Sequence, residues 1–192
     1  MLQAKIDDQI AFLSEIDKLK TVNRATILSD NSRRENSAEH SWHVTVFALI
    51  FSDHANKKVD LFKAIKMLLI HDIVEIDTGD TPIFGTYDAL EVKAQEEKAA
   101  TRIFGLLPKV QAKQMIQIWN EFEEGKTATA QFARSMDRFQ APVQNLISGG
   151  GTWNEYNVTF EQVEKRVGSK IVLGAPKLWA WLRPRIIKFL KN

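Results

Sequence analysis

The chain has 192 residues, no cysteine, and a formal net charge of +2 from 26 basic and 24 acidic residues. Without cysteine, disulfides, thiol nucleophiles and iron–sulfur clusters are excluded, and a bound metal would need His, Asp or Glu as its ligands. The balanced charge does not favour a nucleic-acid partner, which usually requires a concentrated basic face.

The N-terminal segment argues against export and against membrane insertion. Asp7 and Asp8 stand where a signal peptide would carry an apolar run. Nowhere does the chain approach the ~18 consecutive apolar residues of a transmembrane helix. We therefore expect a cytoplasmic protein with no membrane partner, and a length that fits a single domain with its own core.

Apolar residues recur at helical spacing along nearly the whole chain. Asn36 with Glu39 matches a capping box, and Asp60 and Thr127 can each cap the helix that follows. The third helix is apolar almost all round, so we expect it to be buried. The predicted helices span approximately residues 6–20, 37–56, 61–75, 88–106, 108–124, 128–147 and 176–190, and a second capping box indicates a further start at 159–162.

Two segments interrupt the helical pattern. Residues 21–37 are polar and irregular and predict a loop, and no strand series is evident elsewhere. Three glycines at 149–151 break the chain, but no Gly-Lys-Ser/Thr follows them, so they do not form a phosphate loop. The pattern predicts an all-α, single-domain helical bundle. We expect residues 1–155 to form the domain that carries the site and residues 156–192 to form a helical extension packed on it.

The main chemical signal lies at the C-terminal end of the third predicted helix. His71 and Asp72 are adjacent there, and a charged pair beside so apolar a helix is costly unless a partner satisfies it. Glu75 follows His71 by four residues, so all three can face one pocket. An isolated His-Asp pair is most often a solvated helix end. The pair indicates a metal site only if other candidate ligands occur elsewhere in the chain.

Two further residues are candidate ligands of the same site. His40 lies at the start of another helix with an apolar stripe. Asp137 lies in the middle of a helix among apolar neighbours, where Asp is a poor helix former and needs a partner if it is buried. The plainer alternative is a partly exposed Asp137 paired with Arg134 or Arg138.

Together these residues resemble the HD superfamily, whose mark is a dispersed His…His-Asp…Asp metal site on a helical bundle. Residues 33–41, RRENSAEHS, are similar to the segment around the first metal histidine in the branch that contains the 5′-deoxynucleotidases. Residues 71–82, HDIVEIDTGDTP, resemble that branch's second motif. The stretch from Phe132 to the glycine loop resembles further HD hydrolases, so the likeness covers roughly residues 10–155.

The resemblance implies roles for individual residues. It assigns metal ligation to His40, His71, Asp72 and Asp137. Glu75 and Asp80 match positions that transfer protons or orient water, and Arg33 matches a basic residue near the phosphate. Arg34 and Arg24 lie in the same polar segment, where a phosphate could meet guanidinium groups and helix N–H groups.

The chain departs from the family pattern at one point. The nucleotidases carry an Arg-Trp pair that packs against the sugar, whereas residues 23–26 read NRAT, with an arginine but no tryptophan. A preference for deoxyribose therefore does not follow from the resemblance. Among the five tryptophans, for which core packing is the default, Trp153 is our candidate for a substrate wall.

Two imidazoles and two carboxylates suit one divalent transition metal, Mn, Co, Fe, Ni or Zn, and leave positions open for water and substrate. Only four histidines are present, too few for a second metal with its own ligands. We interpret His43 as a neighbour of the ligands, although it could be a ligand itself, and His54 as a surface histidine at a helix end.

These observations predict a metal-dependent phosphohydrolase whose small-molecule partner is a nucleoside 5′-monophosphate or a similar small phosphate ester. The alternative is a non-catalytic regulatory module that binds a metal or a nucleotide. A phosphodiesterase acting on cyclic or polyphosphorylated nucleotides is disfavoured because the extra ligands are missing. Family resemblance and the apolar terminal helices also favour a homodimer.

Overall fold

The structure is a computed structural model that describes residues 2–191, and helices account for most of it. The α-helices are α1 (Leu2–Ile16), α2 (Ser37–Ile50), α3 (Leu61–Ile70), α4 (Glu75–Thr78), α5 (Ala89–Phe104), α6 (Lys109–Glu124), α7 (Ala128–Ile147), α8 (Thr152–Glu155), α9 (Phe160–Val163), α10 (Ser169–Gly174) and α11 (Pro176–Leu190). The all-α class is confirmed. Among the described residues, no helix is both long and apolar enough to cross a bilayer.

The predicted caps begin the helices that carry or support the site. Asn36 and Glu39 form a capping box at the start of α2, in which the Asn36 side chain accepts from the Glu39 N–H. Asp60 caps α3, Thr127 caps α7, and the second predicted capping box begins α9. These signals are local to each helix start, so the sequence alone was enough to place them.

The prediction of a loop over residues 21–37 is wrong in part. The segment forms an antiparallel hairpin of β1 (Asn23–Ile27) and β2 (Arg34–Asn36), the one sheet among the described residues. Its inward-facing side chains include Arg24 and Glu35. Because charged residues occupy inward positions, the strands lack the apolar alternation by which a half-buried strand is recognised.

The third helix ends earlier than predicted, at Ile70 rather than near Glu75. The His71 carbonyl accepts a hydrogen bond from the Trp119 indole at 3.1 Å, and the Glu75 N–H bonds to the Asp72 carbonyl. The chain therefore tightens into a 3₁₀ turn over His71–Val74 before α4 begins. This turn sets the direction in which the His-Asp pair faces.

The main core surrounds α7, which contacts α2, α3, α6, α10 and α11. A second cluster joins α1, α5 and α6 to the 3₁₀ turn. Residues on both sides of position 155 share the main core: Phe132 and Met136 of α7 belong to the same cluster as Ile171 of α10 and Ile186 of α11. The extension packs directly on the bundle, and the proposed boundary near residue 155 stays a prediction.

Candidate metal centre and cavity

Three helical segments bring the four predicted ligands to one place. His40 lies in the first turn of α2, His71 and Asp72 lie in the 3₁₀ turn, and Asp137 lies in the middle of α7. His40 Nε2 is 3.0 Å from Asp137 Oδ1, and His71 Nε2 is 3.7 Å from the same oxygen. His71 Nε2 is also 3.1 Å from Asp72 Oδ1. Two imidazole nitrogens and two carboxylates therefore converge.

His71 is held with one nitrogen facing the centre. Its Nδ1 lies 2.8 Å from the Leu68 carbonyl oxygen, so this nitrogen is the donor and Nε2 is the nitrogen that faces the centre. Nε2 is buried and has no hydrogen-bond partner with acceptable geometry. A buried, unsatisfied nitrogen of this kind is costly unless another group binds it.

His40 is fully buried and lies between acids. Burial and the Arg24 charge lower the pKa of His40, but hydrogen bonding to Asp137 and Glu35 and attraction by Asp72 outweigh them and raise the pKa to about 9. Asp137 shows the reciprocal effect. Burial acts to raise the pKa of Asp137, while Arg138 and the two imidazoles lower it well below its usual value.

These residues fit a divalent cation. One ligand atom each from His40, His71 and Asp72 lies within 4.8 Å of the others, and Asp137 Oδ1 lies beside both imidazoles. The donor set of nitrogen and oxygen suits the middle and late first-row transition metals. The unsatisfied Nε2 of His71 is the atom that a cation would satisfy.

Arg24 lies against the acidic side of this centre. Its Nη1 donates to Asp72 Oδ2 at 2.8 Å and lies 3.4 Å from Asp80 Oδ1 and 3.7 Å from Glu75 Oε1. Burial lowers the pKa of Arg24, but the surrounding carboxylates raise it overall, so the guanidinium stays charged. This single cation offsets the repulsion among three clustered acids.

The two predicted proton-transfer residues lie side by side with the ligands. Glu75 is buried, and its Oε2 accepts a hydrogen bond from Ser37 Oγ at 2.6 Å. Burial and the Asp72 charge raise the pKa of Glu75 well above its usual value. Asp80 Oδ2 accepts from the Ala25 N–H at 3.2 Å, and burial likewise raises the pKa of Asp80 although Arg24 opposes it.

The structure does not bring the other two predicted phosphate-binding arginines to this place. Arg33 pairs with Glu39 at 2.7 Å on the surface. Arg34 pairs with Glu155 at 2.9 Å and donates to the Ala25 carbonyl. Neither Arg33 nor Arg34 lines the cavity at the metal centre, whereas Arg24 does.

A cavity of about 430 Å³ opens from the metal centre, within the size range of small-molecule sites. Its lining includes the acids and Arg24 of the metal centre, further charged residues such as Arg134 and Arg138, and several apolar and aromatic side chains. Trp153 lines the cavity, but it is only 2% exposed and its ring packs against Phe189. It is therefore a core residue as well as a cavity-lining residue. The aromatic residues on the walls are Phe84, Tyr87, Phe122, Trp153 and Tyr156.

Sequence reasoning missed Glu96 and Glu35 and gave Arg138 only a structural role. Glu96 on α5 lines the cavity, and burial, Glu123 and Asp72 raise the pKa of Glu96 to about 7. Arg138 also lines the cavity and lies 3.5 Å from Asp137 Oδ2. Its position next to Asp137 in the sequence was the available signal. Glu35 stands beside two arginines, a pattern typical of a solvated surface.

The remaining histidines lie outside the ligand set. His43 is half-buried, stacks on Trp42, and its Nδ1 lies 3.2 Å from Gln140 Nε2. Burial lowers the pKa of His43, which keeps the ring neutral at pH 7. His54 lies in a 3₁₀ turn after α2, 3.7 Å from Asp53.

A helical bundle that gathers two imidazoles and two carboxylates beside a cavity defines a divalent-metal protein of the His…His-Asp…Asp class. The chain belongs to the HD domain family, whose model matches residues 16–179. This membership confirms the resemblance carried by the two motifs.

Known proteins similar to this chain include one solved structure of high similarity. That structure, a predicted metal-dependent phosphohydrolase from Magnetospirillum magnetotacticum MS-1, is 42% identical with a TM-score of 0.91, covering 98% of this chain and 96% of its own. The 5′-deoxynucleotidase HDDC2 of Bos taurus is 28% identical over 70% of this chain, which spans 65% of that relative's length. A 5′-deoxynucleotidase of Citrobacter koseri is 25% identical, with 84% of each chain covered.

Proposed function

We propose that this chain is a metal-dependent phosphohydrolase that removes phosphate from a nucleoside 5′-monophosphate or a similar small phosphomonoester. The observation that carries the proposal is the placement of Glu75, Asp80 and Arg24 around the candidate metal centre, where all three line one cavity. The names of the similar 5′-deoxynucleotidases and of the similar phosphohydrolase support the same chemistry.

In this proposal, one Mn, Co, Fe, Ni or Zn ion is held by His40, His71, Asp72 and Asp137. When bound, such a cation lowers the pKa of a coordinated water to about 7 and neutralises charge on phosphoryl oxygens. The water oxygen forms the new bond to phosphorus, the ester P–O bond breaks, and alcohol and inorganic phosphate are released.

The chain's own residues supply the proton transfers and the second positive charge. Glu75 accepts the proton of the attacking water, and its burial beside Asp72 raises its pKa, which makes it a stronger base than an exposed carboxylate. Asp80 delivers a proton to the leaving oxygen. Arg24, released from part of its contact with the acids, donates its guanidinium N–H groups to the phosphate.

A non-catalytic metal-binding or nucleotide-binding module is the alternative. A structural metal would be satisfied by its four ligands and would not need Glu75, a buried carboxylate with a raised pKa that no ion pair shorter than 3.7 Å neutralises. Holding such a group costs stability, which favours a role in the reaction.

The test is phosphate release from a panel of nucleoside monophosphates by the protein loaded with Mn²⁺ or Co²⁺. We expect Glu75→Gln to bind metal normally and to lose about 100- to 10,000-fold in kcat. Glu97→Gln, at an exposed position on α5, is the matched control and should retain activity. Failure of the metal-loaded wild type on the whole panel would leave the binding module as the better account.

We further propose a homodimer formed through an apolar groove between α2, α7 and α11. Ile50 and Trp181 at this groove are 67% and 47% exposed and belong to one apolar patch, and a large contiguous apolar patch on a surface marks an interaction site. Light scattering should give twice the chain mass, and Trp181→Glu should give monomers. A monomeric wild type at high micromolar concentration would exclude this dimer.

A further inference from the structure

We propose that Glu35 is a positioning residue that orients the His40 imidazole toward the metal and ties it to Arg24. The inference rests on the proposed function, specifically on His40 as a metal ligand through Nε2. Glu35 does not line the cavity, so it acts through His40 and Arg24 and not on the substrate.

Three buried polar atoms face one another at this point. Glu35 Oε1 lies 3.5 Å from His40 Nδ1 and 3.3 Å from Arg24 Nε. Each of these three atoms is inaccessible to solvent and lacks a hydrogen-bond partner with full geometry. The distances exceed the usual range for N–H···O bonds by a few tenths of an ångström, roughly the shift that would form both bonds.

The second carboxylate oxygen of Glu35, Oε2, accepts a hydrogen bond from α7. Gln140 Nε2 on α7 donates to Glu35 Oε2 at 3.1 Å and lies 2.6 Å from Gln144 Oε1. Gln144 in turn donates to the Ile27 carbonyl of β1 at 2.9 Å. A polar chain thus joins α7 to the hairpin through Glu35, which is 1% exposed and cannot rotate freely.

This arrangement selects the metal-binding form of His40. When a cation displaces the proton of Nε2, a proton kept on Nδ1 and donated to a carboxylate leaves the Nε2 lone pair for the metal, and Nε2 is the nitrogen that faces Asp137 Oδ1. The carboxylate also makes the imidazole a stronger ligand. His71 differs, because its Nδ1 donates to the neutral Leu68 carbonyl. The two histidines are therefore held by acceptors of different strength, with Glu35 serving His40.

Neutralisation of Arg24 does not by itself explain Glu35. Arg24 already contacts Asp72 at 2.8 Å and Asp80 at 3.4 Å, so its charge is balanced without a further acid. Glu35 is a fourth carboxylate beside Arg24, after Asp72, Asp80 and Glu75, and its burial adds a cost of desolvation. His40 Nδ1, in contrast, has no hydrogen-bond partner with full geometry, and it faces this carboxylate at 3.5 Å.

The test is Co²⁺ binding by Glu35→Gln, measured by calorimetry and by the visible spectrum of bound Co²⁺. We expect the dissociation constant to rise about 10- to 100-fold and the spectrum to shift, while circular dichroism shows a folded protein. Gln144→Leu is the matched control. It breaks the same polar chain at its far end, so it should lower the melting temperature without changing Co²⁺ affinity or spectrum.

Two outcomes separate the inference from the proposed function. Should His40→Ala bind Co²⁺ as wild type does, the proposed metal centre itself is wrong. Should His40→Ala lose binding while Glu35→Gln keeps wild-type affinity and spectrum, only the role of Glu35 is wrong. If Glu35→Gln does not fold, NMR of the Zn²⁺-loaded wild type decides: a hydrogen-bonded His40 Nδ1–H resonance supports the proposal, and an unprotonated Nδ1 overturns it.

Discussion

His40 Nε2 lies 3.0 Å from Asp137 Oδ1, although the two residues are 97 positions apart in the chain. The contact joins the first turn of α2 to the middle of α7, and His71 approaches the same oxygen from the 3₁₀ turn. Both imidazoles thus face the same Asp137 oxygen, and loss of this carboxylate should weaken metal binding more than loss of a surface carboxylate.

Asp137→Asn should weaken binding of Mn²⁺ or Co²⁺ by about 100-fold or more, because a ligand matters at least as much as the groups that orient it. The side chain keeps its size, so the fold should be preserved. Calorimetric titration of the metal-free protein measures the effect. Asp53→Asn, at an exposed acid beside His54, is the control. Equal affinities for wild type and Asp137→Asn would remove Asp137 from the ligand set.

Arg24 gives a second prediction, which has two readouts. Arg24→Met should lower kcat/KM about 100-fold or more, because the buried guanidinium is the phosphate-binding group in the proposed reaction. It should also destabilise the metal-free protein by about 3 kcal/mol, since the acids around it lose their counter-charge. Metal loading should recover much of this loss.

Phosphatase assays and melting temperatures with and without Mn²⁺ check both effects. Arg34→Met is the matched control, since this arginine pairs with Glu155 on the surface and does not line the cavity. If Arg34→Met reduced kcat/KM as much as Arg24→Met, the phosphate would bind nearer to the hairpin surface than the structure indicates.

The sequence predicted those parts of the fold that depend on local chemistry. Helix caps such as Asn36 and Thr127 act within one turn, so they can be recognised without the tertiary structure. The early end of α3 could not be predicted, because the Trp119 indole that bonds to the His71 carbonyl lies 48 residues away. The four candidate ligands were found because the two motifs and the stretch from Phe132 to the glycine loop resemble a known family, not because spacing alone joins them.

The hairpin and Glu35 escaped prediction for one shared reason. Half-buried strands are recognised by apolar alternation, but here the inward positions hold Arg24 and Glu35. The cost of burying these charges is offset only in the folded protein, where Asp72 lies beside Arg24 and His40 lies beside Glu35. A Glu between an arginine and an asparagine is ordinarily read as a surface residue. Its burial depends on tertiary contacts that no local pattern contains.

Gly174 gives a third prediction, about the packing of the C-terminal helices on the main bundle. A Cβ atom at Gly174 would overlap the Gln131 carbonyl oxygen and Ser135 Oγ of α7. Backbone atoms cannot move away cheaply, so Gly174→Ala should destabilise the protein by about 1–3 kcal/mol. Urea unfolding measures the change. Val172→Ala, at a partly exposed position on the same helix, should cost less, and equal losses would show that the close approach is not the cause.

Glu96 gives a prediction about pH. Burial, with repulsion from Glu123 and Asp72, raises the pKa of Glu96 from 4.5 to about 7 in the folded protein. The folded state therefore binds this proton more tightly than the unfolded state does. Protonated Glu96 therefore contributes to the free energy of unfolding. This contribution is fully present below pH 4.5 and is lost as the pH rises through about 7. Glu96→Gln cannot ionise and should escape the loss.

In metal-free protein, Glu96→Gln should therefore melt higher than wild type at pH 8.5 and nearly equal to it at pH 5. The gain should be about 1 kcal/mol, a value reduced for solvent screening of a partly exposed group, or a few degrees in melting temperature. Glu97→Gln, the exposed neighbour, should show no such pH dependence. The result would contradict burial as the cause if the Glu96→Gln gain were the same at both pH values, because a loss that does not follow ionisation cannot come from a raised pKa.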